Sequence, residues 1–192
     1  MRPAPSSRSS APRPRSRRRS SRCWRAIVVE PAPVFAETDA DGAARWRDEQ
    51  RARGRRVVFT NGVFDLVHAG HVAYLDWARA QGDALILGLN TDASVRALKG
   101  PERPLVPFAD RAAVLAGLRS IDAVVGFAER TPETLLDRIR PDVHVKSAQY
   151  RVEDLPERLV VLQHGGEIRL APHLAGHSTT DIVAEIRRRY GA

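Results

Sequence analysis

The chain has 192 residues, 43% hydrophobic and 28% charged, a globular composition sized for one domain rather than two. Its single cysteine, Cys23, excludes a disulfide framework and a cysteine-based zinc cluster, and no run approaches the roughly 18 apolar residues of a membrane span. A net charge of +8 would suggest nucleic acid as a partner if it were spread over the folded part, and it is not.

Residues 1–25 hold nine arginines, seven serines, four prolines and no acid, while the remainder carries 22 basic and 23 acidic side chains. Such a segment buries too little apolar surface to offset its ordering entropy and is expected to be disordered. Three readings stay open for it: an arm that binds anionic polymer, an Arg-rich transit peptide, or an extension without function. No apolar h-region follows, so a secretory signal is not expected and the cytoplasm is the expected location. Residues 26–38 are apolar but interrupted by Pro31 and Pro33, and read as a linker or an edge segment. The expected organisation is a tail and linker over 1–37 and one domain over 38–192.

From there strands and helices alternate. Thr38 or Asp39 caps a helix running to about Arg53, with Gly54 at its C′ position. VVFT (57–60) is a short buried strand, and residues 70–82 are a helix with apolar positions 72, 75 and 78, ended by Gly82. Residues 84–90 are a strand, 110–120 a helix, 122–127 a strand. Residues 131–140 are a helix with Thr131 as cap, Pro132 at N1 and Glu133 in the first turn. Residues 142–146 are a strand. Residues 155–166 are ambiguous and read as a helix closing at Gly165 and Gly166. Residues 167–171 are the last strand and 178–190 the last helix. This order predicts an α/β fold, a Rossmann-like three-layer sandwich with a five-stranded parallel sheet. Ligands of such sheets sit beyond the carboxyl ends of the strands, which singles out residues 60–71, 90–100, 146–150 and 172–180.

The first of these reads T-N-G-V-F-D-L-V-H-A-G-H. Gly62 lets a backbone N–H approach a ligand. His68 and His71, spaced i, i+3, share one side of a helical turn, and Gly70 leaves room against it. Near a helix N-terminus, two imidazoles suit a phosphate better than a metal, because each can donate to a phosphoryl oxygen. A pair of ordinary surface or capping histidines is the plainer alternative. The last region, G-H-S-T-T-D (176–181), precedes a helix. Ser178 and Asp181 form a capping-box pattern, and the same free N–H groups can hold phosphates. Only two of the 31 basic residues are lysines. Lys99 and Lys146 both lie just after strands, where a compact ammonium can neutralise phosphate; chance placement is the alternative.

The string at 60–71 resembles the HxGH signature of a nucleotidyltransferase superfamily, in its cytidylyltransferase-like branch, and the second signature at 176–180 lies at the expected distance. The resemblance covers residues 40–190. It implies transfer of a nucleotidyl group from a nucleoside triphosphate to a phosphate acceptor, with Mg2+ accompanying the nucleotide and no covalent intermediate. It implies catalytic roles for His68, His71 and Lys99. It implies that Thr60, Asn61, Gly62, Phe64, Gly70, Lys146, Gly176, Ser178, Thr179 and Thr180 line the nucleotide. Asp65, Asn90, Asp92 and Arg111 would face the acceptor. On the residues alone, Asp65 could equally stabilise a turn, Asp92 cap a helix, and Arg111 be a helix-surface cation. The chain's G-L-N-T-D-A-S-V-R-A-L-K-G-P-x-R-P looks more like the adenylyltransferases of ADP-heptose synthesis than like the CTP-dependent members. That branch typically has K-G-G-D-Y and G-Y-S-T-T, where this chain has Lys146-Ser147-Ala148-Gln149-Tyr150 and a histidine, His177. The implied substrates are ATP and a sugar 1-phosphate, and relatives are often homodimers. Membrane and nucleic acid are not expected partners. The rival readings are a cytidylyltransferase for glycerol 3-phosphate or ethanolamine phosphate, a nucleic-acid-binding protein acting through the tail, and a nucleotide sensor without turnover.

Overall fold

The computed structural model describes residues 30–172 and 178–191. The basic tail, Gly176 and His177 lie outside the described residues.

The described elements are β1 (Val34–Phe35), α1 (Ala40–Ala52), β2 (Val57–Gly62), α2 (Ala69–Arg79), β3 (Ala84–Asn90), α3 (Asp92–Lys99), α4 (Phe108–Ala116), β4 (Ala123–Phe127), α5 (Glu133–Ile139), β5 (Val143–Ser147), α6 (Arg158–Gln163), β6 (Glu167–Ala171) and α7 (Thr179–Tyr190). A short 3-10 turn at Val152–Asp154 precedes α6. All strand pairs are parallel, in the order β1-β4-β3-β2-β5-β6.

The sheet has six strands, not five. The sixth is the two-residue β1, paired with β4 at the edge. Two prolines keep it short, because proline lacks the N–H that a longer ladder needs.

The period of two along each strand sorts the core into two layers. Val58, Leu85, Leu87 and Leu89 face α2 and α4, where Leu75, Ala78, Ala112 and Leu115 complete one cluster. Val57, Phe59, Ile86 and Val125 face α1, α5 and α6, where Ala43, Leu136, Ile139 and Val161 complete the other. A strand buried on both sides reads as a continuous apolar run, which is why residues 84–90 were legible.

The chain moves outward from β2 to β3 to β4, then returns to the other side of β2 as β5. Right-handed crossovers in opposite directions put the connecting helices on opposite faces. The reversal opens a crevice at the carboxyl ends of β2 and β5.

Several boundaries differ from expectation. Residues 92–99 form a helix, but Asp92 is not its cap. Thr91 caps it, its Oγ1 accepting from Ser94 N at 3.3 Å, and Asp92 sits in the first turn, where the helix dipole favours an acid. Pro132, not Thr131, is the N-cap of α5. α2 stops at Arg79, before Gly82. α4 runs two residues earlier than expected and ends before Gly117. The segment 155–166 is helical only over Arg158–Gln163, because Pro156 holds Leu155 in an extended conformation. Asp39 does cap α1, its Oδ1 accepting from Gly42 N at 2.9 Å, and Gly54 follows that helix at φ +72.

Candidate active site

β2 ends at Gly62, and the next residues fold tightly before α2 begins at Ala69. Phe64 adopts φ +45, a left-handed conformation unusual for an aromatic residue. Its ring turns back over Gly62, where any Cβ would stand 2.8 Å from Phe64 Cε2. Gly62 is therefore required by the Phe64 ring. That ring packs on His71 at a centroid distance of 5.0 Å.

His68 is the N-cap of α2 and His71 lies in its first turn. Their rings stack at 3.8 Å between centroids and 23° between planes. Burial, reinforced by the neighbouring His68, pushes the His71 imidazole down to about 4, although the Leu66 backbone works in the other direction. His71 is therefore neutral near pH 7, a state in which its ring can donate one hydrogen bond but carries no charge.

His71 lines a cavity of about 660 Å³ at the carboxyl ends of β2, β3, β4 and β5. Asn61, Gly62 and Phe64 contribute its floor, and Thr179 and Thr180 close one side from the start of α7. Ser178 caps α7 by accepting from Asp181 N at 3.0 Å, so its hydroxyl serves the helix. Thr179 Oγ1 lies 3.5 Å from the Leu66 carbonyl, which ties α7 to the histidine turn.

Lys146, at the end of β5, enters the cavity from the opposite side to Lys99. Its Nζ lies 3.0 Å from Glu157 Oε1 and 3.3 Å from Asn61 Oδ1, with the Tyr150 ring centroid 5.2 Å away. Glu157 Oε1 is also 3.2 Å from Nε2 of His144, a fully buried ring. Burial would raise the Glu157 carboxyl, but the His144 hydrogen bond and the Lys146 charge outweigh it and hold the group at about 2. Burial, with the Lys146 charge, keeps His144 below its ordinary value despite Glu157.

A nucleotide-sized crevice at the sheet's reversal point, a helix N-terminus and a stacked histidine pair together have the chemistry of a phosphate site. The cytidylyltransferase-like family model matches residues 59–185, more than half of the chain. The chain belongs to this family of nucleotidyltransferases. It is 54% identical over 142 residues to the bifunctional protein HldE of Pseudomonas aeruginosa, covering 74% of this chain and 30% of that protein. It is 49% identical over 176 residues to the bifunctional protein HldE of Geobacter metallireducens, covering 85% of this chain and 36% of that protein. The chain thus spans about a third of the length of these curated relatives. The crystal structure of a lipopolysaccharide core biosynthesis protein from Thermoplasma volcanium is similar in fold, with a TM-score of 0.52 and 21% identity over 63% of this chain and 98% of that one.

Within this family site, several residues named from sequence stand elsewhere than expected. Thr60 is fully buried and points away from the cavity. Its Oγ1 lies 2.6 Å from Tyr74 Oη and donates to the Val145 carbonyl at 2.9 Å. Burial pushes the Tyr74 phenol up to about 12, so it remains protonated. The period of two could have revealed this, because Thr60 shares the face of Val58. His68 and Gly70 are not among the residues that line the cavity; His68 meets it through its stack on His71.

The acceptor-side residues are engaged within the protein, Arg111 and Asp92 with each other and Asp65 and Asn90 with other segments. Asp65 Oδ1 accepts from Leu105 N and Val106 N at 2.8 and 3.0 Å, and Oδ2 from Arg103 Nη1 at 2.7 Å. It clamps the loop after α3, although it still borders the cavity. Arg111 is only 1% exposed and donates to the Val106 carbonyl, the Val63 carbonyl and Asp92 Oδ1 at 2.9, 2.7 and 2.6 Å. It is neither a surface cation nor a cavity cation. Asn90 lines the cavity and donates to Ser94 Oγ at 2.9 Å. Lys99 lines it too, on the β3 side. The sequence reading missed Glu157, Arg103 and Arg130, all of which reach the cavity wall, as does Tyr150 from the segment 146–150 that it singled out.

Proposed function

We propose that this chain transfers AMP from MgATP to a sugar 1-phosphate, with D-glycero-β-D-manno-heptose 1-phosphate as acceptor, giving ADP-heptose and pyrophosphate. The observation that carries this reading is His71, stacked on His68 and lining a crevice that has Lys146 on one side and Lys99 on the other. About 50% identity to two bifunctional HldE proteins supports the choice of acceptor.

In this reading an acceptor phosphate oxygen attacks the α-phosphorus in line. The bond from that phosphorus to the bridging oxygen breaks, and its electron pair leaves with pyrophosphate. Attacker and electrophile are both anionic, so holding them together and relieving their charge supplies much of the rate. Neutral His71 donates to an α-phosphoryl oxygen as charge builds. Lys146, braced by Glu157 and Asn61, and the N–H groups at the start of α7 hold the β- and γ-phosphates.

Among the described residues no group of three His, Cys, Asp or Glu side chains could hold a metal ion. Mg2+ would enter on the triphosphate and be ligated mainly by its oxygens. The partners are proposed to be these small molecules, with a homodimer as the working assembly. Among the described residues no helix is long and apolar enough to cross a membrane.

The test is pyrophosphate release from each of the four nucleoside triphosphates with heptose 1-phosphate, glycerol 3-phosphate and ethanolamine phosphate. Turnover with ATP and the sugar phosphate is expected. Activity with CTP and an alcohol phosphate only would replace this reading with that of a cytidylyltransferase.

A further inference from the structure

The arginine that sequence nominated for the acceptor, Arg111, is buried and held by the Val63 and Val106 carbonyls and Asp92. An anionic acceptor needs cations from somewhere else. Three line the cavity on the side away from Lys146: Lys99 at the end of α3, Arg103 in the following loop, and Arg130 after β4. Arg103 is held by Asp65. Lys99 and Arg130 are exposed, and neither takes part in a salt bridge or side-chain hydrogen bond among the described residues.

Strand order fixes how these charges are distributed. β2, whose end leads into the histidine turn, lies between β3 and β5. Lys146 belongs to β5, Lys99 follows β3, and Arg130 follows β4, one strand further out. The cavity thus has cationic walls on both sides of the histidine turn. In-line transfer between two anions calls for this division, because the attacking and leaving groups occupy opposite sides of the α-phosphorus.

We propose that Arg130 is an acceptor-specificity residue that, with Lys99, forms a second anion subsite on the β3–β4 side of the histidine pair and takes the phosphate monoester of the acceptor. Like charges converging on one wall repel unless an anion lies between them. The planar guanidinium binds phosphate in a forked geometry, and the ammonium adds a point charge beside it. Arg130 precedes Thr131 and Pro132, which also line the cavity, so the second half of the β4–α5 turn faces the acceptor. The subsite rests on the reading of the cavity as a place of nucleotidyl transfer, but its anion preference does not depend on which sugar is used.

The experiment has two arms on the full chain. In the first, Arg130→Ala and Arg130→Lys are compared with wild type by initial rates of pyrophosphate release at varied ATP and varied heptose 1-phosphate. Loss of a charge-assisted contact should raise the KM for sugar phosphate by about tenfold or more in Arg130→Ala, with partial recovery in Arg130→Lys and the KM for ATP within about twofold. An unchanged KM for the sugar phosphate, or an equal rise in both KM values, would overturn the subsite. In the second arm, inorganic phosphate is titrated into ATP-saturated protein and followed by NMR. Binding that weakens at least about fivefold in both Arg130→Ala and Lys99→Ala supports the subsite, and binding that is absent or indifferent to both variants refutes it. If wild type turns over no sugar phosphate, the heptose reading fails in the first arm while the second still decides on Arg130.

Discussion

Arg111 donates to Asp92 Oδ1 at 2.6 Å from a position only 1% exposed. The same guanidinium spans the carbonyls of Val63 and Val106, so it joins the turn after β2, the start of α3 and the loop before α4. Arg111→Ala would strand a half-buried carboxylate and two carbonyls. It should cost about 3–5 kcal/mol of stability, as breaking a buried ion pair does, and Arg111→Lys should not restore it because one ammonium cannot span three acceptors. Chemical denaturation of both variants checks this, and a near-wild-type midpoint in Arg111→Ala would show that the network is dispensable.

Gly62 and Phe64 form the second constraint. A methyl group at 62 would stand 2.8 Å from the Phe64 ring, which in turn packs on His71. Gly62→Ala should lose about 1–3 kcal/mol through this overpacking and lower kcat as the His71 ring shifts. Thermal melting and steady-state kinetics measure the two effects separately. A variant with unchanged kcat would separate the Phe64 ring from His71 function.

Acid titration should show two contributions that both lower stability as the pH falls, in successive windows. His71 is held at about 4 and His144 below its ordinary value, so the unfolded chain takes up these protons first. Their effect is absent above pH 6.5 and lowers stability as the pH falls from 6.5 toward 4. Glu157 is held at about 2. The stability it contributes is fully present above pH 4.5 and is lost as the pH falls toward 2. Tm should therefore begin to fall below pH 6.5. His71→Ala should flatten the slope between pH 6.5 and 4 relative to wild type, as differential scanning calorimetry would show. An equal slope in the variant would place the His71 proton elsewhere.

Lys146→Met should leave the Glu157 carboxylate in a buried site without its counter-charge. The Glu157 pKa should rise from about 2, which carboxyl-detected NMR can follow. The KM for ATP should rise as well, by about tenfold if Lys146 contacts a phosphate. A rise in the pKa with an unchanged KM would confine Lys146 to a structural role.

The sheet was legible because its inner strands are continuous apolar runs bounded by turns, as at residues 84–90. The histidine turn was legible because its spacing and glycines are local. The edge strand β1 was legible only as one of two readings, a linker or an edge segment, since two residues preceded by prolines carry no periodic signal. The roles of Arg111 and Glu157 depend on tertiary partners. Arg111 is buried only because three distant segments converge on it. Glu157 reads from Pro-Glu-Arg as the solvated start of a helix, and nothing local reveals that Lys146 and His144 meet it. Arg130 lay between an acid and a threonine in a turn, and only the strand order brings it to the cavity.

The most direct test of the histidine pair is kcat for pyrophosphate release by His68→Ala and His71→Ala, with folding checked by circular dichroism. Removal of the transition-state donor should lower kcat by roughly a hundredfold or more in His71→Ala, and loss of the ring stacked on it should lower kcat in His68→Ala too, while secondary structure is retained. Folded variants that both keep near-wild-type kcat would contradict the assignment of the stacked histidines to the transferring phosphate.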